Sequence, residues 1–240
     1  MMSDSTLNLG PTPKAAPESI APPPHWKIDE AYQDLHFEPI PPFGLFLKRT
    51  LDLLIALPAL LIVIPVWAII AAAIKLDSPG PVLYCSRRVG KGGRTFTCYK
   101  FRSMVANADD TKEYLRQHNQ RQGPTFKIKN DPRLTRLGPF LRRYSIDELP
   151  QILNVITGDM SIVGPRPHPY DDVVRYRPEH LRRCVVKPGL TCLWQVKARR
   201  SPSFEINMDL DMQYIDQWSL LLDLKLIFLT FAAVLRGDGQ

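Results

Sequence analysis

LLIALPALLIVIPVWAIIAAAI, from Leu53 to Ile74, runs for 22 residues without a charged side chain. As a straight helix at ~1.5 Å per residue it would cross a bilayer core of roughly 30 Å. It lies far from the N-terminus and no small-residue cleavage site follows, so it is not a secretory leader. Residues 46–76 are therefore expected to form a membrane helix. Two features bear on how it sits. Lys48 and Arg49 precede it while Lys75, Arg87, Arg88 and Lys91 follow, and a crossing helix would place one basic flank on the non-cytoplasmic side. Pro65, near the middle, cannot donate to the carbonyl of Leu61, and Pro58 is a second such point. From the residues alone, a crossing helix and a re-entrant one that bends at Pro65 both remain open.

Upstream, residues 1–42 hold nine of the 23 prolines, Pro22, Pro23 and Pro24 in a row, and read as an extended tail. Residues 1–41 carry two lysines against six carboxylates, a balance of −4, so the remainder holds +11 of the net +7. A basic body beside an apolar helix suggests acidic lipid or a phosphorylated substrate. Nucleic acid is not expected, because helix-turn-helix periodicity, zinc-finger spacing and RNA-recognition strands are all missing. The four cysteines lack CxxC spacing and read as ordinary thiols.

Downstream, residues 77–236 read as one helix-rich α+β domain. Val82–Val89 and Arg94–Phe101, joined by Gly90-Lys-Gly-Gly, form a β-hairpin rather than a phosphate loop, since no helix follows the glycines. Helical patterns cover Ala106–Gln120, Leu134–Arg143, Ile146–Thr157 and Phe204–Gln217, with turn-rich stretches at Gly158–Pro169 and Lys187–Gly189. Ser219–Arg236 is apolar but carries Asp223 and Lys225, and fits either an interfacial amphipathic helix or a core helix.

The chemistry centres on Ser145-Ile-Asp-Glu-Leu-Pro. Read structurally, it is a capping box, with Ser145 capping Glu148 and Glu148 reaching back to Ser145. The same helix start also offers free amides and partial positive charge to an anion. Asp147 would there be a carboxylate of lowered pKa, suited to attack on phosphorus. Glu148 could join it in holding Mg²⁺, a role that competes with capping. Arg133, Arg136, Arg142 and Arg143 precede the pair, and Arg166 follows, fixed between Pro165 and Pro167. Guanidinium groups match phosphate in two-pronged fashion, and Arg166 in its stiff turn reads as a phosphate contact, whereas Arg142 and Arg143 taken singly read as a solvated helix face.

The run DPRLTRLGPFLRRYSIDELPQILNVITGDMSIVGPRP, Asp131–Pro167, resembles the signature of the bacterial sugar transferase family, the monotopic phosphoglycosyl transferases. The likeness extends upstream through Lys100-Phe-Arg-Ser-Met to Lys48-Arg-x-x-Asp52. Downstream it takes in Lys187-Pro-Gly-Leu-Thr, Trp194-Gln-Val and Asp211-Met-Gln-Tyr-Ile, for about residues 46–236 in all. The resemblance implies that Asp147 is a nucleophile toward the β-phosphate of a UDP-sugar, with Glu148 and Mg²⁺ beside it and UMP as the leaving group. Polyprenyl phosphate would be the acceptor. It associates Arg142 and Arg166 with phosphate, places Lys100, Arg199 and Asp211 among the polar positions near the site, and makes Pro65 the break of a re-entrant helix at the cytoplasmic face of the inner membrane. Glucose or galactose 1-phosphate is the expected cargo, and membrane lipid an expected partner; a homo-oligomer is left open. Departures from the pattern are Ile64, where Ser often precedes the proline, and Cys192 and Lys197-Ala-Arg199 in the following loop. The competing readings are a scaffold without turnover and a glycosyl transferase that releases UDP.

Overall fold

The computed structural model describes residues 40–236 except 121, 122, 127, 129, 130 and 200. The tail expectation for residues 1–42 thus falls mainly outside the described residues, and Pro42 already belongs to a helix. That helix, α1 (Pro42–Asp77), is continuous by its backbone assignment through both Pro58 and Pro65, and begins four residues earlier than the sequence suggested. Proline at the first helical position is favourable there, because its missing N–H would have been unpaired anyway. By length and composition α1 is able to cross a membrane.

Both ends of α1 are fastened to one body. Near its start Lys48 donates to the Val163 carbonyl at 2.9 Å and pairs with Asp223 at 2.6 Å. One turn on, the Asp52 carboxylate accepts from Ser161 Oγ at 2.9 Å and the Ile162 amide at 2.8 Å. Ala56, fully buried, packs with Ile152, Val155, Met160, Tyr214 and Leu226. Near its end Ile70 and Ile74 pack with Phe101 and Leu141, and Trp67 meets Phe101 edge-on at 5.8 Å. Arg102 then closes the C-terminus, its guanidinium donating to the carbonyls of Ile74, Ser78 and Pro79. Between these ends Leu61, Ile62, Ile64 and Val66 are exposed.

The expected hairpin is present: β1 (Leu83–Val89) pairs antiparallel with β2 (Thr95–Phe101), Leu83 opposite Phe101 and Val89 opposite Thr95, with Lys91–Gly93 as the turn. The first helical expectation shrinks to α2 (Lys112–Leu115) followed by a 3-10 turn. Asn107, Asp109, Asp110 and Thr111 favour local hydrogen bonds over helix, and Thr111 Oγ bonds the Ala108 carbonyl. The next, α3 (Gly138–Arg143), begins four residues late. The backbone before it bonds sideways instead, Thr135 N to Ser103 O and Leu134 bridging Met104.

The third expected helix is split into a 3-10 turn at Ile146–Glu148 and α4 (Gln151–Thr157). Pro150 has no N–H to give the Ile146 carbonyl, which breaks the ladder at that point. Gly158 ends α4 at φ 91°, its amide reaching Asn154 O and Val155 O. A short parallel pair, β3 (Ser161–Val163) and β4 (Gly189–Thr191), lies where only turns were expected. Three-residue strands carry too little alternation to be read. The two strands approach so closely that a Cβ at Gly189 would lie 2.1 Å from the Gly164 amide nitrogen.

α5 (Tyr170–Val173), a 3-10 stretch at Pro178–Val185 and α6 (Leu193–Lys197) lead to α7 (Phe204–Asp216), as expected, and α8 (Leu220–Leu235). The last helix packs as a core helix on one face and leaves the other apolar face exposed. Asp223 and Leu226 are buried in the core, while Leu221, Leu224, Phe228, Phe231 and Leu235 form an exposed apolar stripe. The whole is a helix-rich α+β domain with α1 as part of its core.

Candidate active site

The chain reaches the acidic pair through an unusual turn. Ser145 sits at φ 55°, the sole non-glycine residue with positive φ among those described. For a residue with a Cβ this conformation costs about 1–2 kcal/mol. It ends α3 and starts the 3-10 turn whose first-turn residues are Asp147 and Glu148. The expected capping box is absent: no side-chain cap bond forms, and the Glu148 amide goes to the Ser145 backbone carbonyl at 3.1 Å. The left-handed backbone turns the Ser145 hydroxyl away, where it accepts from Arg199 Nη2 at 3.2 Å.

Freed from capping, Glu148 is held by cations. Lys100 Nζ, from β2, lies 2.7 Å from Oε1, and Arg166 forks onto the carboxylate, Nη1 to Oε2 at 3.1 Å and Nη2 to Oε1. Burial alone would raise this carboxyl, but Arg166 and Lys100 outweigh it and hold Glu148 well below the ordinary range. The Glu148 carboxylate holds Arg166 firmly protonated against the opposing effect of burial.

Asp147 is the opposite case. It is buried, and Lys100 approaches its Oδ2 only to 3.8 Å. Burial raises its pKa, Lys100, Arg142 and Arg166 oppose, and the Glu148 charge adds to the rise. The lowered pKa expected from a helix start is thus corrected: a single 3-10 turn has little dipole, and desolvation wins. A desolvated carboxylate with few hydrogen bonds is the more basic and more nucleophilic of the two.

Arg142 completes this wall. Its Nε donates to Ser103 Oγ at 3.0 Å, and burial lowers its pKa while Asp147 and Asp131 raise it. Lys100, Arg142 and Arg166 together oppose two carboxylates, a surplus of positive charge that suits an anion such as phosphate.

The structure does not bring Asp211 to this cluster. Asp211 lies one layer beneath, 1% exposed, paired with Arg183 at 2.7 Å. Arg183 in turn donates to the Arg166 carbonyl at 2.7 Å. Asp211, which the resemblance put among the polar positions near the site, lies behind it as a buried support, because α7 turns that side chain into the core. Burial pushes Asp211 up to about 6, with Arg183 opposing. Arg133 is likewise spent within the fold, paired with Asp131 at 2.6 Å.

Ser103 and Arg183 went unnoticed in the sequence. For Arg183 a signal existed: Phe204, Met208 and Asp211 share the buried stripe of α7, and a carboxylate on such a stripe requires a buried cation. Ser103 lay within the quoted run Lys100-Phe-Arg-Ser-Met, where no role was given to it. Among the described residues no cluster of three acidic, histidine or cysteine side chains could hold a metal ion. Mg²⁺, which keeps much of its water, fits two carboxylates. Asp147 has no hydrogen bond on either oxygen within the described contacts. Glu148 Oε2 accepts one bond, leaving an acceptor direction open.

The chain is 45% identical over 196 residues to the galactosyl transferase CpsE of Streptococcus agalactiae, covering 81% of this chain and 43% of that protein. It is 40% identical over 204 residues to the UDP-glucose:undecaprenyl-phosphate glucose-1-phosphate transferase of Escherichia coli, covering 82% and 42%. The exopolysaccharide production protein ExoY of Rhizobium meliloti is 40% identical over 203 residues, covering 83% of this chain and 90% of that one. The chain thus spans about two-fifths of the longer relatives and nearly all of ExoY. The sequence profile described as bacterial sugar transferase matches residues 43–237, which include both ends of α1, the acidic pair and its cations. On this match, and with ExoY 40% identical and covered over 90% of its length, the chain belongs to the bacterial sugar transferase family.

Proposed function

We propose that this protein transfers a hexose 1-phosphate, glucose or galactose, from a UDP-sugar to polyprenyl phosphate at the membrane surface, as the first lipid-linked step of exopolysaccharide assembly. The observation that carries it is Asp147: a buried, under-bonded carboxylate beside Glu148, within a ring of Lys100, Arg142 and Arg166. In this reading an Asp147 oxygen attacks the β-phosphorus. The bond from that phosphorus to the bridging oxygen breaks, and UMP leaves with that oxygen. The sugar phosphate is then held on Asp147 as a mixed anhydride. A phosphate oxygen of polyprenyl phosphate next attacks the same phosphorus, giving polyprenyl diphosphate sugar and restoring the carboxylate.

Phosphoryl transfer needs positioning and charge neutralisation more than acid–base work. Arg166 and Lys100, steadied by Glu148, would meet the diphosphate; Arg142 and Arg199 would extend the positive wall. Mg²⁺, held by Asp147 and Glu148 with phosphate oxygens and water, would supply further neutralisation of phosphate charge. The anchoring of both ends of α1 on one body supports a re-entrant helix bent near Pro65, which keeps the site at headgroup height on the cytoplasmic face of the inner membrane.

Names among the relatives divide between galactosyl transfer and sugar-phosphate transfer. The nucleotide product decides between the two chemistries. Incubation with UDP-glucose or UDP-galactose and polyprenyl phosphate should release UMP; release of UDP would overturn the reading. Asp147→Asn should lose at least about a thousand-fold in UMP release, and the covalent adduct seen by intact-mass measurement, since a neutral amide is a poor nucleophile.

A further inference from the structure

A cavity of about 230 Å³ opens beside the first turns of α1, with Leu45, Arg49, Lys91, Val186, Lys187 and Ile215 in its wall. One water needs only ~10–15 Å³ of such space, so a polyatomic group fits. Neither the acidic pair nor its cations line it. Two further ionisable groups in the wall are already engaged: Lys48 with Asp223, and Asp52 with Ser161 Oγ and the Ile162 amide. That leaves Arg49, Lys91 and Lys187, which come from α1, the hairpin tip and the approach to β4. Arg49 spends two N–H groups on the Val155 and Ile156 carbonyls and keeps the others. A Cβ at Gly158 would lie 3.4 Å from Lys187 Nζ and 3.7 Å from Arg49 Nη2, so these two cations are close neighbours. Burial, then Arg49 and Lys91, hold the Lys187 ammonium below its ordinary range, against Asp52 and Asp159.

Gathering Arg49, Lys91 and Lys187 against the one Asp52 carboxylate in a partly desolvated cavity is costly unless a further anion joins them. The wall is apolar beside the start of α1, where Ile40, Leu45 and Ile215 line it. We propose that this cavity binds the phosphate-bearing headgroup of an anionic membrane phospholipid, with the lipid's chains following the apolar face of α1. The site rests on the membrane-bound reading above and not on the transfer reaction.

The test titrates the detergent-purified full chain with dioctanoyl phosphatidylglycerol, dioctanoyl phosphatidylcholine and inorganic phosphate, each read by native mass spectrometry. One saturable phosphatidylglycerol per chain is expected, with weaker retention of the other two. Lys91→Ala should weaken that binding about five-fold and Lys91→Ala with Lys187→Ala about thirty-fold, at the usual worth of a basic side chain near acidic lipid. Lys75→Ala with Lys225→Ala, which removes equal charge outside the cavity, should leave it within two-fold. Lys91 lies on the hairpin turn, so its single variant keeps the test decisive if the double variant misfolds. Equal losses in the two double variants, or no saturable phosphatidylglycerol, would overturn the site. Inorganic phosphate that binds as tightly and displaces the lipid would show a free-anion site and overturn the lipid assignment. UMP release, measured separately, tells failure here from failure of the transfer reading.

Discussion

At the scale of single residues, two neighbouring carboxylates are driven apart by their surroundings. Glu148 is bonded on both oxygens and stays ionised; Asp147 is left to desolvation and becomes basic. Lys100 is the largest charge restraining Asp147. Lys100→Met should therefore raise the Asp147 pKa further, moving the acid limb of the UMP-release profile to higher pH and lowering the rate at neutral pH by about ten-fold or more. Asp211 gives a second titration. Its folded value, about 6, lies above the ordinary carboxylate value. It therefore favours folding in acid, and that contribution is lost as pH rises through about 6. Activity should run the other way. Below about pH 6 the protonated Asp211 no longer counters Arg183, which loosens the hold on the Arg166 carbonyl. Asp211→Asn should remove this part of the acid limb and leave a lower, flatter profile between pH 5 and 8; an unchanged limb would exclude Asp211 as its source. The residues themselves pointed to Asp147, Glu148 and Arg166, because acids and a cation in one stretch suggest phosphate chemistry; Lys100 and Arg142 entered only through the family resemblance. Ser145 and the sign of the Asp147 shift were misjudged, since both depend on a positive φ and on burial that no local pattern encodes.

At the scale of elements, α4 is the joint between hairpin and membrane helix. Asn154, fully buried, donates to the Thr97 carbonyl at 2.7 Å and accepts from the Tyr99 amide at 3.1 Å. These bonds fix the strand that carries Lys100. At the other end of α4, Arg49 closes the Val155 and Ile156 carbonyls at 2.6 and 2.8 Å. Asn154→Ala would leave two β2 backbone groups unpaired, costing about 2–4 kcal/mol and lowering the melting temperature by about 4–16 °C. A thermal melt of the detergent-solubilised variant checks this. Elements with long, regular patterns were legible beforehand: the hairpin, α7 and the apolar helix. The helix starts were misplaced wherever a proline interrupted the ladder or a backbone amide found a partner in another segment, as Thr135 does with Ser103. The β3–β4 pair escaped notice because two glycines in close contact leave no side-chain signature.

At the scale of the whole molecule, the apolar surface is concentrated on the middle of α1 and one stripe of α8. This arrangement suits a membrane-anchored protein, and the re-entrant course proposed for α1 is open to a labelling test. In sealed inner-membrane vesicles, a cysteine placed at Ser5 in a background whose remaining cysteines are replaced should react from the same side as the natural, exposed Cys85 studied alone. Reaction from opposite sides would mean that α1 crosses.

The fastening of α1 at both ends also bears on how the enzyme can be handled. A membrane segment is often treated as a detachable tether, to be trimmed off to obtain a soluble fragment. Here such trimming would remove Lys48, Asp52, Ala56, Trp67, Ile70 and Ile74, leaving Asp223 without its counter-ion and Phe101 and Leu141 without their cover. A fragment beginning at Ser78 should emerge as aggregate rather than as a working catalyst, and exchanging α1 for an unrelated apolar helix should fail in the same way. The part that meets the lipid is also the part around which the rest is built.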